Sequence, residues 1–131
     1  MTGKDNTVNF QAFARKAAER IQARKTMKKK WLYVGALEEN IQIRGLTDQE
    51  MTDCFEYSDD EHTNDKYTMY YASRTLQELA EYMKQKGMIQ EELEVCDCIS
   101  KVDRNQIVHD ILELSGFTGE TTVKELEEVK K

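Results

Sequence analysis

No proline occurs among the 131 residues, where average usage of about 5% predicts roughly six. No helix is therefore broken by a missing backbone N–H, and punctuation falls to the six glycines. Cysteine is scarce too. Three thiols (Cys54, Cys96, Cys98) exclude a fully paired disulfide framework and fit a reducing compartment. Cys96 and Cys98 stand as C-x-C, a spacing that points two side chains in different directions on a helix. No second cysteine pair is present to complete a zinc site, so no metal is expected. Cys54 and Cys96 read as small core hydrophobes. No apolar run approaches the ~18 residues of a membrane span, and no apolar stretch follows Met1, so spanning and secreted readings are set aside. The mean hydropathy of -0.76 points to a polar, helical chain.

Charge is abundant but unevenly placed. The formal net charge of -6 hides a basic beginning and an acidic remainder. Residues 1–30 carry nine basic and two acidic side chains, while 31–131 carry ten basic and twenty-three acidic ones. The basic arm comprises Arg15, Lys16, Arg20, Arg24, Lys25, Lys28, Lys29 and Lys30, beside Lys4. Such a split suits an arm that meets an anionic partner, or one that docks on the chain's own acidic part.

Residues 1–8 are expected to be a disordered N-terminus. From Asn9 the pattern turns helical, with Phe10, Phe13, Ala14, Ala17 and Ile21 on one stripe at the helical period. Arg24 and Lys28 continue that stripe, so its buried part is expected to end near Ile21. Aromatic and β-branched residues then mark strands near 31–37 and 41–45, joined as a hairpin. Thr47–Glu50 is a capping box opening a short helix whose inward face is Met51, Cys54 and Phe55. Ser58 to Asp65 reads as a hydrophilic loop. Its acids resemble a calcium loop only loosely, because glycine and glutamate are absent from the required places.

The longest helix is expected over 66–86. Met69, Ala72, Leu76, Leu79 and Met83 share one face of it, and Tyr67, Tyr70, Tyr71 and Tyr82 share nearly the opposite one. Two apolar faces mean a helix between layers, or one that offers a face to a partner. Gly87 is its stop. A further helix is expected over 90–101, then one capped by Asp103 with Ile107, Val108, Ile111, Leu112 and Leu114 inward and His109 and Glu113 outward. Gly116 supplies its left-handed end, with Phe117 folding back. Thr122–Glu125 reads as a second capping box before a short, loose helix. The expected fold class is thus mainly α with a small β-hairpin (α+β), of five to six helices. Residues 9–117 form a single globular domain and 118–131 a loosely attached helix or tail.

Catalytic motifs are missing. There is no Gly-rich phosphate loop, HExxH or GxSxG. Both histidines lie in polar surroundings, and no carboxylate falls in an apolar stretch that would raise its pKa. The chain reads as a non-enzyme without cofactor; a site built on Cys96, Cys98 and His109 is the enzymatic alternative. A small nucleic-acid-binding or regulatory protein using segment 15–30, with Trp31 and Tyr33 adjacent, is the other alternative. The acidic remainder would repel phosphate, which makes nucleic acid an unlikely partner.

Several segments resemble a known group. The strand pair is followed by "GLTDQEM", then "YTMYYASRTLQEL", then the closing "ILELSGF". Over residues 8–117 this pattern resembles the tail assembly chaperones of long-tailed phages and prophages, in particular the XkdN-like family. A proline often follows the alanine-serine of the middle helix in that family; here Arg74 and Thr75 follow Ala72 and Ser73. The resemblance implies a non-catalytic protein of the bacterial host cytoplasm that keeps the tape measure protein soluble during tail assembly. It adds the tail tube protein and homo-oligomer formation as further options, and no membrane. The residues expected to meet such a partner are Tyr67, Met69, Tyr70, Tyr71, Tyr82 and Met83.

Overall fold

The computed structural model describes residues 7–26, 28–118 and 121–126. It is mainly helical with one two-stranded antiparallel hairpin, the class expected. Helix α1 spans Phe10–Lys25, strands β1 and β2 span Lys29–Val34 and Glu39–Arg44, and α2 spans Asp48–Phe55. Helices α3 (Glu61–Ala72) and α4 (Arg74–Gln85) precede a 3-10 helix over Glu92–Cys98, and α5 covers Lys101–Leu114. The chain divides into two compact units. One is Met27–Thr118, the other Met1–Thr26 with Gly119–Lys131. The division falls after α1, whereas the sequence pattern places α1 inside one domain over 9–117. Among the described residues no helix is long and apolar enough to cross a membrane.

Helix α1 starts where Asn9 accepts a hydrogen bond from the Ala12 N–H at 3.2 Å, an N-cap of the favoured type. It buries no residue. Its apolar stripe is expected to be covered as far as Ile21; instead Phe10, Phe13 and Ile21 are all exposed. The expected N-terminal disorder falls mostly on residues 1–6, which lie outside the described ones.

The hairpin pairs Leu32 with Ile41 and Lys30 with Ile43, and it turns through 35–38 with Glu38 at a φ of 53°. Its first strand begins two residues earlier than expected, because Lys29 and Lys30 continue the ladder rather than the basic helix. Ile41 and Ile43 point into the core. Gly45 then passes close to the end of α5. A Cβ there would sit 2.7 Å from the Leu114 carbonyl oxygen, so only glycine fits. Beside it the Leu46 N–H donates to Ser115 Oγ at 2.8 Å, which ties the hairpin to α5.

The capping box of α2 is formed as expected: Thr47 accepts from the Glu50 N–H, and the Glu50 carboxylate accepts from the Thr47 N–H. Met51 and Cys54 are fully buried, but Phe55 is exposed, against expectation. The Ser58–Asp65 stretch is a loop only in its first half. Asp60 caps α3 through the Thr63 N–H, and the helix begins at Glu61. Asn64 is buried there and donates to the carbonyls of Phe55 and Ser58, joining α3 to the end of α2.

The expected long helix over 66–86 is two helices. Ser73 takes an extended conformation (φ -127°, ψ 107°) and caps α4 by accepting from the Leu76 N–H. The carbonyls freed at the end of α3 do not go unmet, because the Gln77 side-chain amide donates to those of Tyr70 and Tyr71. Gly87 ends α4 with a φ of 71°. The bonds from the Met88 N–H to the Met83 carbonyl and from the Gly87 N–H to Lys84 make this a Schellman end.

The helix expected over 90–101 is the shorter 3-10 helix, with Val95 and Cys96 buried. Ser100, not Asp103, is the N-cap of α5; Asp103 is the residue whose N–H it receives. Helix α5 buries Ile107, Val108, Asp110 and Ile111, and Gly116 closes it with a second Schellman end. His109 faces Glu113 at 3.9 Å on its outer side, as expected. Residues 121–125 adopt no regular structure and Leu126 is helical; 127–131, where the rest of the expected last helix falls, lie outside the described residues. One cluster of buried side chains unites the hairpin, α2 to α5 and the 3-10 helix around Ile43, Met51, Met69, Leu76, Ile99 and Ile111.

Candidate interaction surface

The break at Ser73 parts Tyr82, on α4, from Tyr67, Tyr70 and Tyr71, which share α3. A continuous helix would carry Tyr67, Tyr70, Tyr71 and Tyr82 on one face. In the structure the four lie in three places, two of them around α3 and one on α4. Tyr67 stacks on Tyr57, ring centroids 3.9 Å apart and nearly parallel, and Tyr71 is tilted against Tyr67 at 5.9 Å. Tyr70 opens instead onto a groove between α3, α4 and the 3-10 helix. Tyr82 lies on the outer side of α4, with the Lys86 ammonium 5.6 Å from its ring centroid. Tyr67, Tyr70 and Tyr71 are half-buried and Tyr82 is exposed. Met69, expected among the partner-binding residues, is fully buried and presents no surface. Met83 is half-buried against the core.

Around Tyr71 the polar groups form a small network. Arg44 meets the Glu50 carboxylate with both terminal nitrogens at 3.2 Å, a bidentate pair. The Tyr71 hydroxyl donates to the same carboxylate at 3.1 Å, and the Arg44 guanidinium lies 5.4 Å from the Tyr71 ring centroid. Burial pushes the Glu50 carboxyl up, but Arg44, the Thr47 N–H and the Tyr71 hydroxyl together outweigh it and hold its pKa at about 2. The same hydrogen bond to Glu50, with burial, raises the Tyr71 phenol. This side of the tyrosine set is already satisfied within the protein. It fastens β2, α2 and α3 to each other.

The groove beside Tyr70 is open and has a volume of about 610 Å³. Arg74, Glu78, Glu81, Lys84 and Glu92 line it. Arg74 pairs with Glu78 at 3.2 Å and Lys84 with Glu92 at 2.6 Å, so most of the charge is internally matched and Glu81 adds a negative excess. The Glu92 carboxylate raises the Lys84 ammonium, and burial raises the Tyr70 phenol. On the other flank of α4, Leu79 and Tyr82 lie one turn apart on an exposed apolar strip.

The basic arm is not one element. Arg15, Lys16, Arg20, Arg24 and Lys25 belong to α1, while Lys28, Lys29 and Lys30 lead into β1 in the other compact unit. Lys30 faces Asp110 at 3.9 Å. Trp31 and Tyr33, expected beside this arm and in the first strand, are both exposed; what the sequence pattern does not show is that Lys29 and Lys30 belong to the same strand.

Cys54 and Cys96 are buried and Cys98 is exposed. The Cys96 thiol lies 3.4 Å from the Lys66 carbonyl, and burial pushes it up to about 12, so it stays a neutral thiol. Among the described residues no group of three or more His, Cys, Asp or Glu side chains is placed to hold a metal ion.

No protein-family model, no curated protein and no solved structure matches this chain.

Proposed function

We propose that this chain is a non-catalytic assembly chaperone that holds a long helical client in solution, as tail assembly chaperones of phages and prophages hold the tape measure protein in the host cytoplasm. One observation carries the reading. The core is complete, yet large apolar side chains remain in water on several elements, among them Phe10, Phe13 and Ile21 on α1, Trp31 and Tyr33 on β1, and Leu79 and Tyr82 on α4. Apolar surface left out in this way is what a protein built to bind other chains presents. The α4 strip is the client-facing part of this reading. It offers i, i+3 apolar contacts, with the negative groove on its other flank suited to the lysines and arginines of an amphipathic helix.

The sequence resemblance gains support at its one departure. Position 74, where the family often has proline, is the first residue of α4, and proline is accepted at that helical position because its N–H has no intrahelical partner. Arginine and proline therefore serve the same backbone path.

Co-expression tests the reading. A long, helical, aggregation-prone tail protein should shift to the soluble fraction when this chain is present. Leu79→Asp with Tyr82→Asp should abolish the shift, and Tyr67→Phe should not. A client that stays insoluble with the unaltered chain defeats the proposal.

A further inference from the structure

The two edges of the hairpin differ. The Gly45 N–H donates to the Lys28 carbonyl at 2.8 Å, which marks that pair as hydrogen-bonded. In an antiparallel ladder bonded and non-bonded pairs alternate. Lys30–Ile43, Leu32–Ile41 and Val34–Glu39 are then bonded pairs, and Lys29–Arg44, Trp31–Gln42 and Tyr33–Asn40 are not. The backbone groups of Lys29, Trp31 and Tyr33 consequently point away from β2, and those of Gln42 point away from β1. The outward Gln42 N–H is taken by Thr75 Oγ1 of α4 at 3.0 Å. The outer edge of β1 has no such cover, since β1 pairs with β2 alone among the described residues.

Side chains along that open edge are of two kinds. Trp31 and Tyr33 share one face of the strand and are 62% and 67% exposed. Lys28, Lys29 and Lys30 precede them. Lys28 and Lys29 have no acidic partner among the described residues, and the one facing Lys30, Asp110, is 3.9 Å away. Lysine on an edge strand is a common guard against other strands. A guard has no use for an exposed tryptophan and tyrosine beside it, which enlarge the apolar area that a third strand would cover.

We propose that the outer edge of β1 is a docking site for an extended acidic segment of a partner protein, which adds to the hairpin as a third strand. Main-chain bonds to Lys29, Trp31 and Tyr33 supply the attachment. Carboxylates opposite the three lysines and aliphatic side chains opposite Trp31 and Tyr33 supply the choice of partner. A second copy of β1 is a poorer occupant, because it would bring six lysines onto one short ladder, and like charges in close cross-strand positions oppose pairing. The inference shares the exposed Trp31 and Tyr33 with the chaperone reading, but it uses the β1 edge where that reading places its client on α4, so loss of peptide binding here and loss of client solubility there are separate failures.

Trp31 is the chain's one tryptophan, so its fluorescence reports on this edge alone. The probe is the blocked peptide Thr-Val-Thr-Val-Glu-Glu-Glu, and its control has lysine in place of glutamate. The acidic peptide should shift Trp31 emission saturably and perturb the amides of Lys29, Trp31 and Tyr33 in NMR spectra; the lysine peptide should do neither. Lys28→Glu with Lys29→Glu should weaken binding roughly tenfold. Tyr33→Pro should abolish it while leaving the hairpin, because the Tyr33 N–H is not used within the ladder. Should that variant unfold, the lysine pair of substitutions decides. No saturable response, an equal response to both peptides, or full binding after the lysine substitutions overturns the proposal. So does self-association in sedimentation that protects Trp31 from quenching, which would assign the edge to a second copy.

Discussion

Helices α1 and α5 are alike in length, 16 and 14 residues, and both carry an apolar stripe, yet α1 buries nothing while α5 is a centre of the core. Their stripes differ in substance. The α5 stripe is built of Ile107, Val108 and Ile111, flanked by Leu112 and Leu114. The α1 stripe spaces two phenylalanines and one isoleucine with Ala14 and Ala17, and Arg24 lies on its continuation. Their ends differ as well. At its start α5 has the Ser100 cap and the Arg104 guanidinium on the Ile99 carbonyl at 2.7 Å. At its finish it has the Gly116 Schellman turn and the Ser115 link to Leu46. Amphipathic spacing says which side of a helix is apolar. Whether that side is covered depends on what the rest of the chain brings to it, and an uncovered helix of this length is marginal in water on its own.

Truncation at matching places gives the sharpest break of this comparison. Ile111→Ala should cost about 3 kcal/mol, the loss of a fully buried branched side chain plus the cavity left behind. Phe13→Ala, with Phe13 57% exposed, should change unfolding free energy by less than about 0.5 kcal/mol. Urea denaturation followed by circular dichroism measures both. Equal losses would mean that α1 is held as firmly as α5.

Acid should loosen the compact unit that contains α5 and leave the capping of α1, which uses the neutral Asn9, untouched. Glu50 ties α2 to β2 and α3, and its pKa of about 2 in the fold lies below the ordinary 4.5. A carboxylate with a depressed folded pKa contributes its full stability above the unfolded value and loses it as pH falls through the folded one. Between pH 4.5 and 2 this group should therefore give up on the order of 2 kcal/mol. Glu50→Gln should flatten that window and lower stability at neutral pH. Thermal unfolding across pH reads both effects, and an unchanged slope in the variant would show that other carboxylates dominate.

The end of α5 can be tested against a glycine that ends another helix. Gly45→Ala should cost about 2 kcal/mol, because the added methyl meets the Leu114 backbone at 2.7 Å and backbone cannot turn aside. Gly87→Ala meets nothing within 4 Å, so only its φ of 71° opposes it, at about 1 kcal/mol. The reverse order would show that the joint between hairpin and α5 yields easily.

Much of this arrangement is legible in the order of the amino acids. Thr47 and Glu50 announce their capping box, and Gly87 and Gly116 announce left-handed helix ends, because each effect needs only neighbours a few residues away. The hairpin is legible in order but not in extent: Lys29 and Lys30 look like the tail of a basic helix, and only pairing with Ile43 and Arg44 makes them strand. The division of 66–86 is hidden for a related reason. Met69, Ala72, Leu76 and Met83 keep the helical period across Ser73, since both helices turn the same side to one core. That hidden break parts Tyr82 from the three tyrosines of α3, while Met69 is buried because it lies on the side of α3 that meets the core. The exposure of α1 is equally hidden, because burial is a property of what covers a stripe and not of the stripe.

The smallest expected effect bears on the missing prolines. A chain without proline looks committed to long helices, yet α3 and α4 break within one residue. The conformation at the break is the one that a following proline would impose, since residues before proline are pushed to extended backbone and Ser73 is already there. Arg74 occupies the first helical position, where proline loses no intrahelical hydrogen bond. Among the described residues its side chain pairs with Glu78, on an exposed surface. Arg74→Pro should therefore shift stability by no more than about 0.5 kcal/mol. Ser73→Ala, one residue earlier, should cost about 1 kcal/mol through the lost cap. Differential scanning calorimetry of the two variants separates these outcomes. A large loss for Arg74→Pro would mean that the break at Ser73 is looser than its cap implies and that α3 and α4 exchange with a single continuous helix. The tyrosines would then have access to the common face that their spacing describes.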